Sequence, residues 1–141
     1  MTSTQPKALR LLGFGALAGV LAAAVNIVIR GAALAVLRVP VPPFPLAVGA
    51  DVLFTLMSCV FGAVLFVVLR RGIADRARYV FVRVAAAVLV LSWTAPAVLA
   101  ARGVIDTGEL VTLLVMHAVP AVAIVGVLRL LTRKPSTVGG R

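Results

Sequence analysis

Cysteine, histidine and acidic residues are scarce in this chain, and their scarcity removes whole classes of chemistry. The 141 residues include one cysteine, one histidine and four acids. Because Cys59 stands alone, an intrachain disulfide, a CxxC redox pair and a cysteine zinc site are excluded. His117 with one acid would leave a metal site incomplete unless two subunits contributed. No complete catalytic motif is present, so we predict no metal and no cofactor.

The chain is rich in long apolar runs. Hydrophobic residues make up 62% of it and charged residues 13%, and the mean hydropathy is +1.17. A soluble domain of this size could not cover so much apolar surface. Four runs have roughly the 20 residues needed to cross a bilayer. We therefore predict an all-α polytopic membrane protein, with four transmembrane helices in an up-down bundle.

The predicted spans are at about 11–37, 46–69, 84–101 and 110–131, in one domain over 1–134, followed by a disordered tail over 135–141. Residues 39–45 contain four prolines and should form a stiff outer loop, because proline lacks a backbone donor and restricts the preceding residue. Ala22-Ala23-Ala24 also resembles a signal-peptide cleavage region. A retained anchor is favoured, since the apolar run continues to Ile29.

Basic residues predict the orientation of the spans. Eleven of the 14 Lys and Arg residues lie on the side of the membrane that carries both termini and the loop between the second and third spans. The positive-inside rule therefore predicts that both termini are cytoplasmic. Abundant arginine, alanine and valine point to a bacterial plasma (inner) membrane. We expect contact with the bilayer and no nucleic-acid binding, because the basic segments lack interleaved aromatics. The eleven are Lys7, Arg10, Arg70, Arg71, Arg76, Arg78, Arg83, Arg129, Arg133, Lys134 and Arg141.

A few polar residues interrupt the spans, and a polar group inside lipid usually has a partner or a task. Asp51 and His117 are the candidate catalytic residues. An alternative role is helix packing, through bonds to the same helix for Thr55 and Ser58 and as a buried side chain for His117. The candidate ligand-binding residues are Asn26, Arg30, Asp51, Thr55, Ser58, Ser92, Trp93 and His117.

Counting along the first two helices predicts an outer layer of polar residues. Asp51 lies about 28 Å above Arg70, and Arg30 lies about 30 Å above Arg10, so the two are level. An ion pair between them would join the helices. Alternatively, Asp51 caps its helix while Arg30 reaches the headgroups. Asn26 lies one turn below Arg30 and is suited to an interhelical hydrogen bond.

A deeper layer is predicted around His117. Ser58 and Ser92 have similar depths, about 10 Å below Asp51 along the membrane normal. His117 is the best candidate for proton handling, because a neutral imidazole both donates and accepts.

Two prolines inside the spans are expected to free backbone acceptors. Pro96 and Pro120 leave the carbonyls of Ser92 and Met116 without their usual helix donors. The resulting kinks would open a cavity between the third and fourth spans, with Trp93 as one wall. Alternatively, Ser or Thr side chains satisfy the carbonyls and the kinks only shape the bundle.

Small residues recur every four positions in the first span, at Gly15, Gly19 and Ala23. Such a strip allows close approach of another helix, within the subunit, in a homodimer or in a larger membrane complex.

The chain resembles a group of small actinobacterial four-helix integral membrane proteins of uncharacterised function. The matching features are Asn26, Leu91-Ser92 and Met116-His117-Ala118-Val119. The resemblance implies the fold and the membrane location. Small multidrug antiporters differ, because they need a glutamate inside the first span, where this chain has none.

Three functional hypotheses follow from these residues. The first is a membrane protein that binds a lipophilic small molecule or an ion in a polar cavity in the outer half of the bilayer. The second is an enzyme that isomerises or cyclises a hydrophobic substrate, with Asp51 or His117 as acid or base. The third is an accessory subunit that packs against a larger complex through Gly15 and Gly19.

Overall fold

The computed structural model describes residues 4–37 and 48–131, which form helices and contain no strand. Four helical stretches in this part of the chain are long and apolar enough to cross a membrane, and one of them, Ala77–Ala101, consists of two consecutive helices. The predicted all-α fold with four spans is confirmed. The proline-rich loop and the predicted tail lie outside the described residues. The helices are α1 (Thr4–Leu37), α2 (Val48–Gly72), α3 (Ala77–Ser92), α4 (Thr94–Ala101) and α5 (Thr107–Leu131).

Three helices begin earlier than the sequence predicted, at residue 4 instead of 11, 77 instead of 84 and 107 instead of 110. The predicted spans followed the apolar runs, whereas a helix continues through charged residues outside the bilayer. In α3, the guanidinium of Arg83 lies 4.1 Å from the ring centroid of Tyr79, four residues earlier. This cation–π contact joins adjacent turns and supports the extra helical length.

The turn between α4 and α5 is fixed at both ends by capping. Gly103 has a φ of 68° after the last turn of α4, and the Val104 amide donates to the Leu99 carbonyl at 3.0 Å, as in a Schellman motif. At the start of α5, the Glu109 amide donates to Asp106 Oδ1 at 2.7 Å, and the Asp106 amide donates to Glu109 Oε2 at 2.9 Å. This capping box explains why α5 begins before the predicted residue 110.

The helix α1 packs closely against α2 through its small residues. A Cβ placed on Gly15 would overlap the Cβ of Ala63, and one on Gly19 would lie 3.2 Å from the Cβ of Cys59. Ala23 is also buried. The small-residue strip is therefore used inside the subunit, which was one of the predicted alternatives.

Two features lie at opposite ends of the bundle: an aromatic cluster at one end and an interruption between α3 and α4 at the other. Near the α2–α3 turn, Phe66 and Phe81 meet edge to face with ring centroids 5.3 Å apart, and Ile124 and Leu128 of α5 complete this buried cluster. Toward the opposite end, the chain from α3 to α4 is interrupted at Trp93. The interruption follows Ser92, whose carbonyl has no helix donor because Pro96 lacks a backbone N–H, and it lies where the sequence predicted a kink.

We predict that Gly15→Ala destabilises the protein while Gly13→Ala does not. The added methyl at position 15 must displace α2, at a cost of about 1–3 kcal/mol for overpacking. A Cβ at Gly13 meets nothing within 4 Å, and alanine there should raise helix stability by up to about 1 kcal/mol. Thermal unfolding in detergent, followed by circular dichroism, measures both changes. Equal melting temperatures for the two variants would contradict the close α1–α2 contact.

Candidate functional site

A cavity of about 870 Å³ lies between α2, α3, α4 and α5. Small-molecule sites occupy roughly 300–1,000 Å³, so this space can hold a ligand of ordinary size. Pro96 and Pro120 both line it, in agreement with the prediction that kinks would open a cavity between the last two spans. The wall formed by α2 contains Asp51, Thr55 and Ser58, which the sequence predicted as ligand-binding residues.

Six of the eight predicted ligand-binding residues line this cavity. Arg30 and Trp93 are not among its lining residues. Trp93 instead donates from Nε1 to the Leu114 carbonyl at 3.2 Å, which holds the interruption between α3 and α4 against α5. The six are Asn26, Asp51, Thr55, Ser58, Ser92 and His117.

The lining is polar at one end and apolar at the other. The polar end lies toward the α4–α5 turn and includes Asn26, Asp51, Ser92 and His117. The apolar end lies toward the α2–α3 turn, where the lining residues of α2, α3 and α5 are hydrophobic. Its members include Leu65, Val68, Phe81, Val84 and Ile124. The cavity therefore has the polarity of an amphiphilic molecule.

Asn26 connects three helices at the polar end. Its side chain is only 1% exposed, and Nδ2 lies 3.1 Å from each of three acceptors: Asp51 Oδ1, Thr55 Oγ1 and the Met116 carbonyl. Because an amide nitrogen carries two hydrogens, the three acceptors share them. The interhelical role predicted for Asn26 is thus present, and it links α1 to both α2 and α5.

The Met116 carbonyl is the acceptor that Pro120 was predicted to free. A side chain does replace the missing backbone donor, but it comes from α1 and is neither Ser nor Thr. Cys59 makes a second contact at this kink, with Sγ 3.8 Å from the Pro120 carbonyl. The side chain of Asn26 therefore compensates for the proline inside α5.

Asp51 is joined to α1 through Asn26. Asp51 Oδ1 accepts from Asn26 Nδ2 and, at 3.3 Å, from Thr55 Oγ1. Asp51 does lie in the first turn of α2, where the alternative prediction placed it and where the helix dipole favours an anion. Depth counting matched Asp51 with Arg30, but Asn26 reaches it from one turn along α1.

Asn26 links the two predicted polar layers. Asp51 Oδ1 and the Met116 carbonyl oxygen both lie 3.1 Å from Asn26 Nδ2, so they are within twice that distance of each other. His117 directly follows Met116. Asn26 therefore connects Asp51 of the predicted outer layer to the backbone beside His117 of the predicted deeper layer.

Two serines of the lining donate to their own helices. Ser58 Oγ donates to the Phe54 carbonyl and Ser92 Oγ to the Leu89 carbonyl, each at 2.7 Å. This is the packing alternative predicted for Ser58. Since each hydroxyl has a single hydrogen, these bonds leave only oxygen lone pairs for a molecule in the cavity.

His117 is held in a defined tautomer. Its Nδ1 lies 2.7 Å from the Leu113 carbonyl, one turn earlier in α5. A carbonyl can only accept, so Nδ1 carries the hydrogen, and Nε2 of the neutral ring is an acceptor. His117 is half-buried and lines the cavity.

Two buried oxygens at the polar end have no hydrogen-bond partner within the described part of the chain. They are Asn26 Oδ1 and Asp51 Oδ2. An unpaired polar group in an apolar interior costs of the order of 1–3 kcal/mol. The sequence predicted both residues as part of the site. It did not predict that one oxygen of each would lack a donor, because that depends on the direction of every hydrogen bond around them.

The chain belongs to a family of unknown function, DUF6069, whose model matches residues 4–134. No curated protein and no solved structure matches it.

We predict that Asn26→Ala destabilises the bundle by about 1–2 kcal/mol, the range for hydrogen bonds between helices in membranes. The substitution leaves Asp51, Thr55 and the Met116 carbonyl without their shared donor. Unfolding with a denaturing detergent in mixed micelles measures the change. Val28→Ala is the control, because Val28 is 70% exposed on the same helix and its truncation should cost less than about 0.5 kcal/mol. Equal losses in both variants would contradict the role of Asn26.

Proposed function

We propose that this protein binds a lipophilic small molecule in the cavity between α2, α3, α4 and α5. The observation that carries the proposal is a space of about 870 Å³ with apolar walls and a buried polar end. Such a site stabilises a hydrophobic body by burial and orients it through a few polar groups. The bulk of the ligand would lie beside residues such as Leu65 and Phe81, and its polar group beside Asn26 and Asp51.

The proposed setting is the plasma membrane of a bacterium, with both termini in the cytoplasm. Exposed Arg70, Arg71, Arg76 and Arg78 surround the α2–α3 turn, which supports a cytoplasmic position for that turn under the positive-inside rule. Arg102 is the basic residue of the α4–α5 turn. In this orientation the polar end of the cavity faces the outer half of the bilayer, and the ligand enters from the lipid.

A membrane enzyme acting on the same hydrophobic ligand is the second candidate function. It is favoured by the presence of both Asp51 and His117 in the lining of one cavity. With its Nε2 as an acceptor, His117 would serve as a base rather than an acid in the neutral form. The accessory-subunit hypothesis is less supported, because Gly15 and Gly19 pack against α2 of the same chain.

Filling the cavity tests the binding proposal. Ala85 of α3 lines the cavity, whereas Ala87 on the same helix is exposed on its outer surface. Ala85→Phe should reduce binding of twelve-carbon probes (dodecanol, dodecylamine and dodecanoate) at least about tenfold, since displacing two buried methylenes costs that much. Ala87→Phe should leave binding unchanged. Native mass spectrometry from detergent micelles measures the fraction of protein carrying one probe.

Thermal unfolding of both phenylalanine variants controls for misfolding. If no probe binds the native protein with a stoichiometry of one, or if both variants bind every probe equally, the molecules only adhere to the lipid-facing surface. Either result would overturn the proposal.

A further inference from the structure

The two buried oxygens without partners indicate what is missing from the polar end of the cavity. Asn26 is 1% exposed and Asp51 is 9% exposed, and both line the cavity. Their unpaired atoms, Asn26 Oδ1 and Asp51 Oδ2, are acceptors. The missing partner must therefore be a hydrogen-bond donor.

The cluster cannot supply that donor by rearranging its own bonds. Reversing the Asn26 amide would turn its oxygen toward the Met116 carbonyl, which lies 3.1 Å from Nδ2 and can only accept. The hydroxyl hydrogen of Thr55 is already donated to Asp51 Oδ1. Both hydrogens of Nδ2 are shared among three acceptors, so every hydrogen of the three side chains is in use.

The other polar groups at this end also present acceptors. The hydroxyl hydrogens of Ser58 and Ser92 are directed to their own helices. His117 donates from Nδ1 to Leu113, so Nε2 is the acceptor in the neutral ring. A molecule entering the polar end therefore meets lone pairs on several sides and finds no side-chain donor among these residues.

Charge sharpens the choice of donor. Among the described residues that line the cavity, Asp51 is the only acidic one, and none is lysine or arginine. A buried carboxylate needs compensation that neutral donors supply only in part. A head group that carries both hydrogens and a positive charge satisfies the two requirements together, and a primary ammonium has three hydrogens and one charge.

We propose that the ligand is an amphiphile with a primary ammonium head, a proposal that rests on the binding function above. The ammonium donates to Asn26 Oδ1 and Asp51 Oδ2, while the apolar tail lies along Leu65, Val84 and Ile124 toward the α2–α3 turn. Both oxygens are closed to water in the structure. Asp51 Oδ2 becomes accessible to the head when the carboxylate turns about χ2, which is a soft torsion.

Head-group preference tests the proposal at constant chain length. Native mass spectrometry should show dodecylamine binding at least tenfold more tightly than dodecanol. Dodecyltrimethylammonium has the positive charge but no N–H hydrogen to donate, so it should bind more weakly than dodecylamine. Asp51→Asn should lower dodecylamine affinity at least tenfold, and by a larger factor than it lowers dodecanol affinity. The matched control is Asp75→Asn, which removes the same charge from the exposed α2–α3 turn and should leave both affinities unchanged.

Ammonium heads occur on free alkylamines and on aminophospholipids, and a second arm separates the two sources. A phosphatidylethanolamine and a phosphatidylcholine with matched ten-carbon chains are each added in competition with dodecylamine. Displacement by the phosphatidylethanolamine alone supports an aminophospholipid ligand. Displacement by neither supports a free amine, because a phosphate beside Asp51 is repelled.

Equal binding of dodecylamine and dodecanol, or an unchanged preference in Asp51→Asn, would overturn the ammonium proposal while leaving the binding function intact. Loss of binding by all probes in Ala85→Phe but not Ala87→Phe would still support that function. If Asp51→Asn unfolds, Asp51→Glu provides the same test, because it keeps the charge but moves the oxygens and should weaken only the ammonium probes.

Discussion

The amide of Asn26 is the contact on which the rest of this bundle depends. Inside a membrane every polar backbone group needs a partner within the protein, because lipid supplies none. Pro120 removes one such partner from the Met116 carbonyl, and Asn26 replaces it from a different helix at 3.1 Å. The same nitrogen also holds Asp51 and Thr55 of α2. One side chain thus connects α1, α2 and α5 at the point where a backbone hydrogen bond is missing from α5.

Close packing makes that contact geometrically accessible. A side chain as short as asparagine reaches two neighbouring helices only if the helix axes are near each other. Gly15 and Gly19 permit this close approach between α1 and α2 because they have no side chains. The segment from α3 to α4 takes no part in the cluster. It contacts α5 through Trp93 and α2 through the Phe66–Phe81 pair. The cavity lies between these two contacts.

The sequence predicted the helices and the membership of the site better than its connections. Hydropathy located four spans because apolar length is a direct physical requirement of the bilayer. Proline chemistry correctly identified the freed Met116 carbonyl. Six of the eight proposed residues share one cavity. The start of α5 was missed because it depends on the reciprocal bonds of Asp106 and Glu109. The partner of Asp51 was missed because depth along a helix does not fix helix tilt or neighbours.

The hydrogen bonds that hold the bundle together also determine which polar atoms remain free to face the cavity. The hydrogens of the Asn26 amide are used to join helices, Thr55 donates to Asp51 within α2, and the serines and His117 donate to their own backbones. Holding the fold together therefore consumes the donors and leaves the acceptors facing the cavity. Adding a donor there would require a side chain that withdraws from a structural bond or brings new volume into the cavity. For this reason, the hydrogens that complete the site are best supplied by what enters it.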